Sequence, residues 1–129
     1  MTEDRRSVSS GSPYEATIGF SRAVRVGSTV AVSGTAPVWP DGHVDPDAAV
    51  QARRCWEIVV AALAELEAGV GDVVRTRQYV VRADVAESVG AVHGEVFGDV
   101  RPASTMVVVA GLLDPRWLVE VEAEAVVRP

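Results

Sequence analysis

The sequence predicts an α/β protein: a two-layer α+β sandwich of order β-β-α-β-α-β-β, with a mixed sheet and two helices on one of its faces. Three observations carry that reading. Arg22 to Val26 and Thr29 to Ser33 flank Gly27-Ser28 in a hairpin pattern. Two helix-period stripes lie one before and one after a strand-like run from Val73 to Val81. The segment from Leu118 to Val127 alternates strictly, with Val119, Val121, Ala123, Ala125 and Val127 on one side and Glu120, Glu122 and Glu124 on the other.

Composition bounds the answer. The chain has 129 residues, the length of one domain with a single core. Its hydrophobic content of 48%, mostly Val and Ala, is that of a globular chain. No apolar run reaches the ~18 residues a membrane helix needs, and no basic-then-apolar leader is present, so neither a membrane partner nor secretion is expected. A net charge of −6 argues against a nucleic-acid partner, since phosphates call for a surplus of cations. Every cation is Arg, and the absence of Lys excludes a Schiff-base or phosphate-loop lysine. The single Cys55 excludes an intrachain disulfide framework and fits a cytoplasmic setting.

The elements follow in order. Residues 1–13, rich in Ser and Arg, are expected to be a flexible segment ahead of a single domain at 14–129. Gly27-Ser28 suits a tight turn. Ser33-Gly34-Thr35 closes the second strand, and Gly34 permits close approach by a ligand or neighbour. Pro37, Pro40 and Gly42 mark a loop that holds Trp39. Asp45-Pro46-Asp47 reads as a helix start, with Asp45 as cap, Pro46 in the first helical position and Asp47 for the dipole. Ala52, Trp56, Val59, Leu63 and Leu66 form its buried stripe, and Gly69 ends it. Cys55, beside the stripe with no neighbouring His, reads as a core residue rather than a nucleophile.

The third strand, Val73 to Val81, puts Arg75, Arg77 and Tyr79 on one face. Asp84 with Glu87 resembles a capping box for a second helix that buries Val85, Val89, Val92 and Val96 and stops at Gly98. His93, one step off that stripe, reads as a packing residue, and His43 as solvent-exposed. Two histidines so far apart make no metal site. Phosphate-loop, Gly-x-Ser-x-Gly and dinucleotide motifs are absent. Thr105 to Ala110, apolar on both faces, is expected to be a central, doubly covered strand.

Three carboxylates on one face of the last strand, about 7 Å apart, repel one another unless cations sit opposite. The face is either a solvated outer surface or the lining of a cleft or subunit interface, with at least one Glu turned to a ligand. Arg75 and Arg77 are the nearest partners by pattern, and Arg22 and Arg25 the next. A half-apolar, half-ionic sheet face left uncovered by helices invites oligomerisation.

Four motifs in order carry a family resemblance: Gly27-x-x-Val-x-Val-Ser-Gly34, Val70-Gly-Asp-Val-Val-Arg-Thr76, Arg101-Pro-Ala-Ser-Thr105 and Val119-Glu-Val-Glu-Ala123. From about Gly19 to Val127 the chain resembles the Rid family, the reactive-intermediate deaminases also labelled endoribonuclease L-PSP. The resemblance implies a chorismate-mutase-like fold, a homotrimer with clefts between subunits, a small-molecule ligand, and hydrolysis of imines and enamines such as 2-iminopropanoate without metal or cofactor.

Carried over residue by residue, the water-orienting Glu of the family matches Glu120, and its cleft Ser-Gly matches Ser33-Gly34. The family's aromatic residue, usually Tyr, aligns with Phe20. Its carboxylate-gripping Arg aligns with Ser104, beside Thr105, and a serine cannot form the bidentate, charge-assisted fork. Arg22, Arg77 and Arg101 are the candidate replacements. Two functions remain open on this reading: a Rid-type hydrolase centred on Glu120, or a non-catalytic trimer that binds a small metabolite or partner protein. Ribonuclease activity is disfavoured by the acidic balance and the lack of a His pair.

Overall fold

The computed structural model describes residues 4–129. One six-stranded sheet runs in the order β1-β2-β3-β6-β4-β5, built from β1 (Arg5–Val8), β2 (Ala23–Val26), β3 (Thr29–Thr35), β4 (Val73–Val80), β5 (Ala103–Val108) and β6 (Val119–Val126). Helices α1 (Ala48–Glu65) and α2 (Ala86–Phe97) pack on one face. The β4–β5 pair is parallel, bridged by α2, and the other pairings are antiparallel. This is the expected two-layer mixed-sheet fold with one strand more.

The added strand corrects the expectation of a flexible segment at 1–13 for residues 5–8, residues 1–3 lying outside the described residues. Arg5–Val8 pairs antiparallel with β2, from Arg5 opposite Val26 to Val8 opposite Ala23. Its first three side chains are exposed and Val8 alone reaches the core. An edge strand held by its backbone has no hydrophobic alternation to betray it. Arg6 and Arg25 both donate to the Leu66 carbonyl, at 3.4 and 2.7 Å, and so cover the C-terminal end of α1 with positive charge. Arg25 is therefore not a partner of the carboxylate face.

Helix boundaries shift for identifiable reasons. Asp47, not Asp45, caps α1, its carboxylate accepting from the Val50 N–H at 3.0 Å. Asp45 instead accepts from the Asp47 N–H at 2.9 Å and braces the approach. The helix stops before Gly69, because Glu67 takes the left-handed position (φ 61°). At α2 the capping box does not form: Asp84 pairs with Arg82 at 2.8 Å, and a 3-10 turn, Ala83–Val85, leads into the helix.

The core is the apolar side of β6 (Val119, Val121, Ala123, Ala125) beneath Trp56, Val59 and Leu63 of α1 and Val89, Val92 and Phe97 of α2. His93 is a packing residue. Its ring sits 4.8 Å from Phe97 and 5.6 Å, edge-on, from Trp56, and Nε2 is 2.8 Å from the Thr76 hydroxyl. Burial lowers its pKa, so it is held neutral. Cys55 is fully buried, and desolvation pushes its thiol pKa well up.

The apolar run from Thr105 is not central. It forms β5, the edge strand beyond β4, with Val107 and Val108 exposed at 42% and 56%. The central place belongs to β6, inserted between β3 and β4. Apolar residues on both faces of β5 thus do not report burial within one chain.

Gln51 is fully buried and ties α1 to the start of β6. Its Nε2 donates to the carbonyls of Asp45 (2.7 Å) and Arg116 (3.0 Å), and its Oε1 accepts from the Leu118 N–H (2.7 Å). Gln51→Leu keeps the volume but removes the partner of three backbone groups, in hydrogen bonds that are partly buried. It is expected to cost about 2–4 kcal/mol, read as a lower denaturant midpoint at unchanged m-value.

Candidate active site

Glu120 is the first of the three carboxylates on the helix-free face of β6. The other two are already partnered. Arg77 on β4 reaches Glu122 at 3.4 Å and Glu124 at 3.1 Å, and the Tyr79 hydroxyl donates to Glu122 at 2.7 Å. That hydrogen bond raises the Tyr79 pKa, because ionising the phenol would set two anions in contact. The Arg77 guanidinium is held in its charged form, first by its hydrogen bond to Glu124. The pairing within one chain matches the pattern-based expectation for Arg77.

Glu120 has a different environment, prepared by β3. Val32 pairs with Ala123 and Thr35 with Val121, so three steps on β3 match two on β6. The extra residue is a β-bulge at Ser33-Gly34. A Cβ on Gly34 would stand 2.6 Å from Glu120 Oε2. A side chain at this position would force that carboxylate to move, which is a structural reason for Ser-Gly at the end of β3.

Arg22 frames the other side of Gly34. Its Nη1 donates to the Gly34 carbonyl at 3.1 Å and the Thr35 hydroxyl at 2.9 Å. No ion pair joins Arg22 to Glu120 among the described residues. Desolvation raises the Glu120 pKa, the Glu122 charge adds to the rise, and Arg22 partly offsets it. The Arg22 pKa is lowered, chiefly by burial. Both groups line a cleft of about 590 Å³ together with Gly34, Phe20, Trp117 and Leu113.

The remaining predicted residues divide. Phe20 walls this cleft. Ser33 does not face it freely, since its hydroxyl donates to the Ser21 carbonyl at 2.6 Å, and it lines the adjoining depression of about 450 Å³ with Glu15 and Phe20. Arg77 is committed to Glu122 and Glu124. Ser104 and Thr105 lie exposed on β5, two strands from Glu120. Ser104 is level with Ala123 across β4, which puts it roughly 14 Å from Glu120 by strand spacing. Thr105 accepts from Arg75 Nη2 at 3.2 Å. Arg101 is exposed just before β5, with φ 56°. One chain therefore brings together Glu120, Gly34, Arg22 and Phe20, and leaves Ser104, Thr105 and Arg101 on another edge.

A family model described as Endoribonuclease L-PSP matches residues 11–127. The chain belongs to the endoribonuclease L-PSP family, here also called Rid. An uncharacterised protein of Streptomyces coelicolor is 41% identical to this L-PSP protein over 127 residues, 96% of the chain and 93% of that relative. A RutC family protein of Pyrococcus abyssi is 33% identical over 109 residues, 82% and 84% of the two chains. The crystal structure of a YjgF/YER057c/UK114 family member from Mycobacterium tuberculosis is 43% identical and superposes with a TM-score of 0.88, over 96% of this chain and 100% of that one.

Sequence reasoning missed part of the wall of the cleft. Tyr14 and Ile18 reach it from the segment before β2, Val38 from the loop after β3, and Leu113 and Trp117 from the loop before β6. All lie outside regular strands and the two main helices, where no periodicity marks a side chain's direction. The segment that carries Tyr14 is held by Glu15, which accepts from the backbone and hydroxyl of Ser10 and, at 3.0 Å, from the Ser9 hydroxyl.

Glu120 has a stability cost with a defined sign. Its folded pKa lies above its unfolded value, so the folded state binds the extra proton between the two. Stability is lost as pH rises through that interval, and the full cost stands above the folded pKa. Glu120→Gln is therefore expected to raise the melting temperature at pH 7. The gain should vanish at pH values below the ordinary carboxylate range, which scanning calorimetry across pH would read.

Proposed function

We propose that this L-PSP protein is a cytoplasmic Rid-type hydrolase of a small reactive imine, enamine or related electrophile. The observation that carries the reading is Glu120: a half-buried carboxylate with raised proton affinity, without an ion-pair partner among the described residues, beside a ligand-sized cleft. A general base works best with a pKa moved toward the operating pH. In the proposed reaction Glu120 takes a proton from water as the oxygen bonds to the imine carbon. That proton passes to nitrogen to give a tetrahedral amino alcohol; Glu120 then takes the hydroxyl proton and delivers it to the same nitrogen as the C–N bond breaks, so that ammonia leaves and a carbonyl product remains.

The working unit proposed is a homotrimer with the cleft completed between subunits. Its support is the bare β5 edge, where Ser104 and Thr105 lie far from Glu120 in one chain and Val107 and Val108 are exposed. Light scattering should give about three times the 13.6 kDa chain mass; a monomer at micromolar concentration would remove this part of the reading.

Ser104 favours one rival, a non-catalytic trimer that binds a metabolite or partner, because the residue expected to grip a carboxylate is missing. Ammonia release from imines generated in situ separates the two. The hydrolase reading expects turnover that Glu120→Gln abolishes while the assembly stays intact. Turnover of 2-iminopropanoate should be weak, by ~30-fold or more relative to an Arg-bearing member, the size of one lost charge-assisted pair. Ser104→Arg should recover part of it. Turnover unchanged in Glu120→Gln would refute the assigned role.

A further inference from the structure

The segment that joins β1 to β2 is closed on itself. Val8 ends β1 and is buried, and its carbonyl accepts from the Arg22 N–H at 2.8 Å, just before β2 begins. The chain between them leaves the sheet and returns to the same place, the geometry of an Ω-loop. No residue from Ser9 to Phe20 is buried in the single chain. Every hydrogen bond that Ser9 to Phe20 make among the described residues stays within the loop.

One carboxylate is the hub of those bonds. Glu15 accepts from the N–H and the hydroxyl of Ser10, and from the Ser9 hydroxyl at 3.0 Å. The same serines brace the backbone that follows. Ser9 Oγ accepts from the Gly11 N–H at 3.0 Å, and Ser10 Oγ from the Ser12 N–H at 3.1 Å. Gly11 and Gly19 bound the part that carries Glu15. Both have left-handed φ, 77° and 87°, and a Cβ on either would meet nothing within 4 Å. Glycines in open space at both ends of a self-contained body suit a hinge. The Glu15 clasp crosses the first of them, since Ser9 and Ser10 lie before Gly11, next to the anchored Val8.

This body walls the Glu120 cleft. Half of the residues around the opening belong to the loop, Tyr14 and Ile18 among them. The others, with Glu120 and Trp117, belong to the sheet and its remaining connections. Behind the loop, Glu15, Gly19 and Phe20 line the depression of about 450 Å³ over β3. The loop thus stands between two open volumes.

We propose that residues 12–18 are a lid that moves as one body on Gly11 and Gly19 over the Glu120 cleft, and that Glu15 is the positioning residue that latches it closed. This rests on the reading of the Glu120 cleft as a ligand site and assigns the control of access to it. Closure excludes bulk water around Glu120, and opening admits the ligand.

The test is made on the intact protein, first by hydrogen exchange read with mass spectrometry. Glu15→Ala should speed exchange across 10–18 by at least roughly tenfold, the loss of about one net hydrogen bond, with β3, β4 and β6 unchanged. Glu15→Gln, which keeps one accepting oxygen, should fall between Glu15→Ala and the unaltered protein. Unchanged exchange in Glu15→Ala, as when a second copy pins the loop, would overturn the lid. Faster exchange through the whole sheet would make Glu15 a general stabiliser and overturn its assigned role. Whether release opens the cleft is read at Trp117. In a Trp39→Phe background, with Trp56 buried, Glu15→Ala should increase acrylamide quenching of Trp117 fluorescence. A looser loop with unchanged quenching would overturn the proposal. Ser10→Ala, which removes one donor of the clasp and leaves every acid in place, serves as the second variant; it should give a smaller change of the same sign in both readouts. Failure of the two readings is distinguishable. In the ammonia-release assay Glu15→Ala should raise KM and leave kcat within about twofold, since opening lowers the binding-competent fraction. Absence of turnover in the unaltered protein removes the hydrolase and leaves exchange and quenching to decide the lid. Turnover with KM unmoved in Glu15→Ala removes the lid and leaves the hydrolase.

Discussion

The rest of the structure depends on the register of β6. Its Val119, Val121, Ala123 and Ala125 are all buried beneath the helices, while Glu120, Glu122 and Glu124 occupy the other face. Side-chain direction in a strand has a period of two. A slip by one residue would drive three carboxylates into the core and lift four apolar residues out of it. Each buried unpaired charge costs several kcal/mol, so the register has one solution. β3 and β4 both dock against this strand. Gln51 fixes its start through the Leu118 N–H. The position of Glu120 follows from packing before any ligand is considered.

Much of the fold was legible because periodicity reports burial. The hairpin around Gly27, the Trp56 stripe, the ionic face of β4 and the alternation of β6 all describe residues whose surroundings lie within the chain. What was misread had other causes. β1 is held by backbone pairing, and Arg5–Ser7 show no pattern because none of them meets the core. β5 carries apolar residues that this chain leaves exposed, so its composition suggested a centre where there is an edge. The two helix starts turned on which of several nearby acids was free. Asp45 is engaged with the Asp47 N–H, and Asp84 is engaged with Arg82.

The site was legible where it rests on strands and, through the family resemblance, at Phe20. The alternation put Glu120 on the right face, the family resemblance singled it out, and the strand-ending glycine marked Gly34; a Cβ there would push the Glu120 carboxylate from its position. Which of three arginines belongs with them was not legible. Arg22, Arg77 and Arg101 look alike in sequence. The structure separates them by partner and place: one on the Gly34 carbonyl, one between two carboxylates, one exposed before an edge strand. The apolar wall was invisible for a related reason. Tyr14, Leu113 and Trp117 come from irregular segments that meet only in three dimensions.

The buried Cys55 has a chemical meaning for a protein with this cleft. Thiolates and primary amines are the side chains that electrophiles readily modify, by thioether and Schiff-base formation. Here the one thiol is closed off under α1 and held protonated, and a protonated thiol is a poor nucleophile. The chain contains no Lys, its cations being Arg throughout, and guanidinium stays charged and unreactive toward simple carbonyls at neutral pH. A reactive carbonyl or imine released beside Glu120 meets no lysine amine and no accessible cysteine thiolate. Toward the electrophiles of the proposed reaction, the chain thus presents neither an accessible thiolate nor a lysine amine.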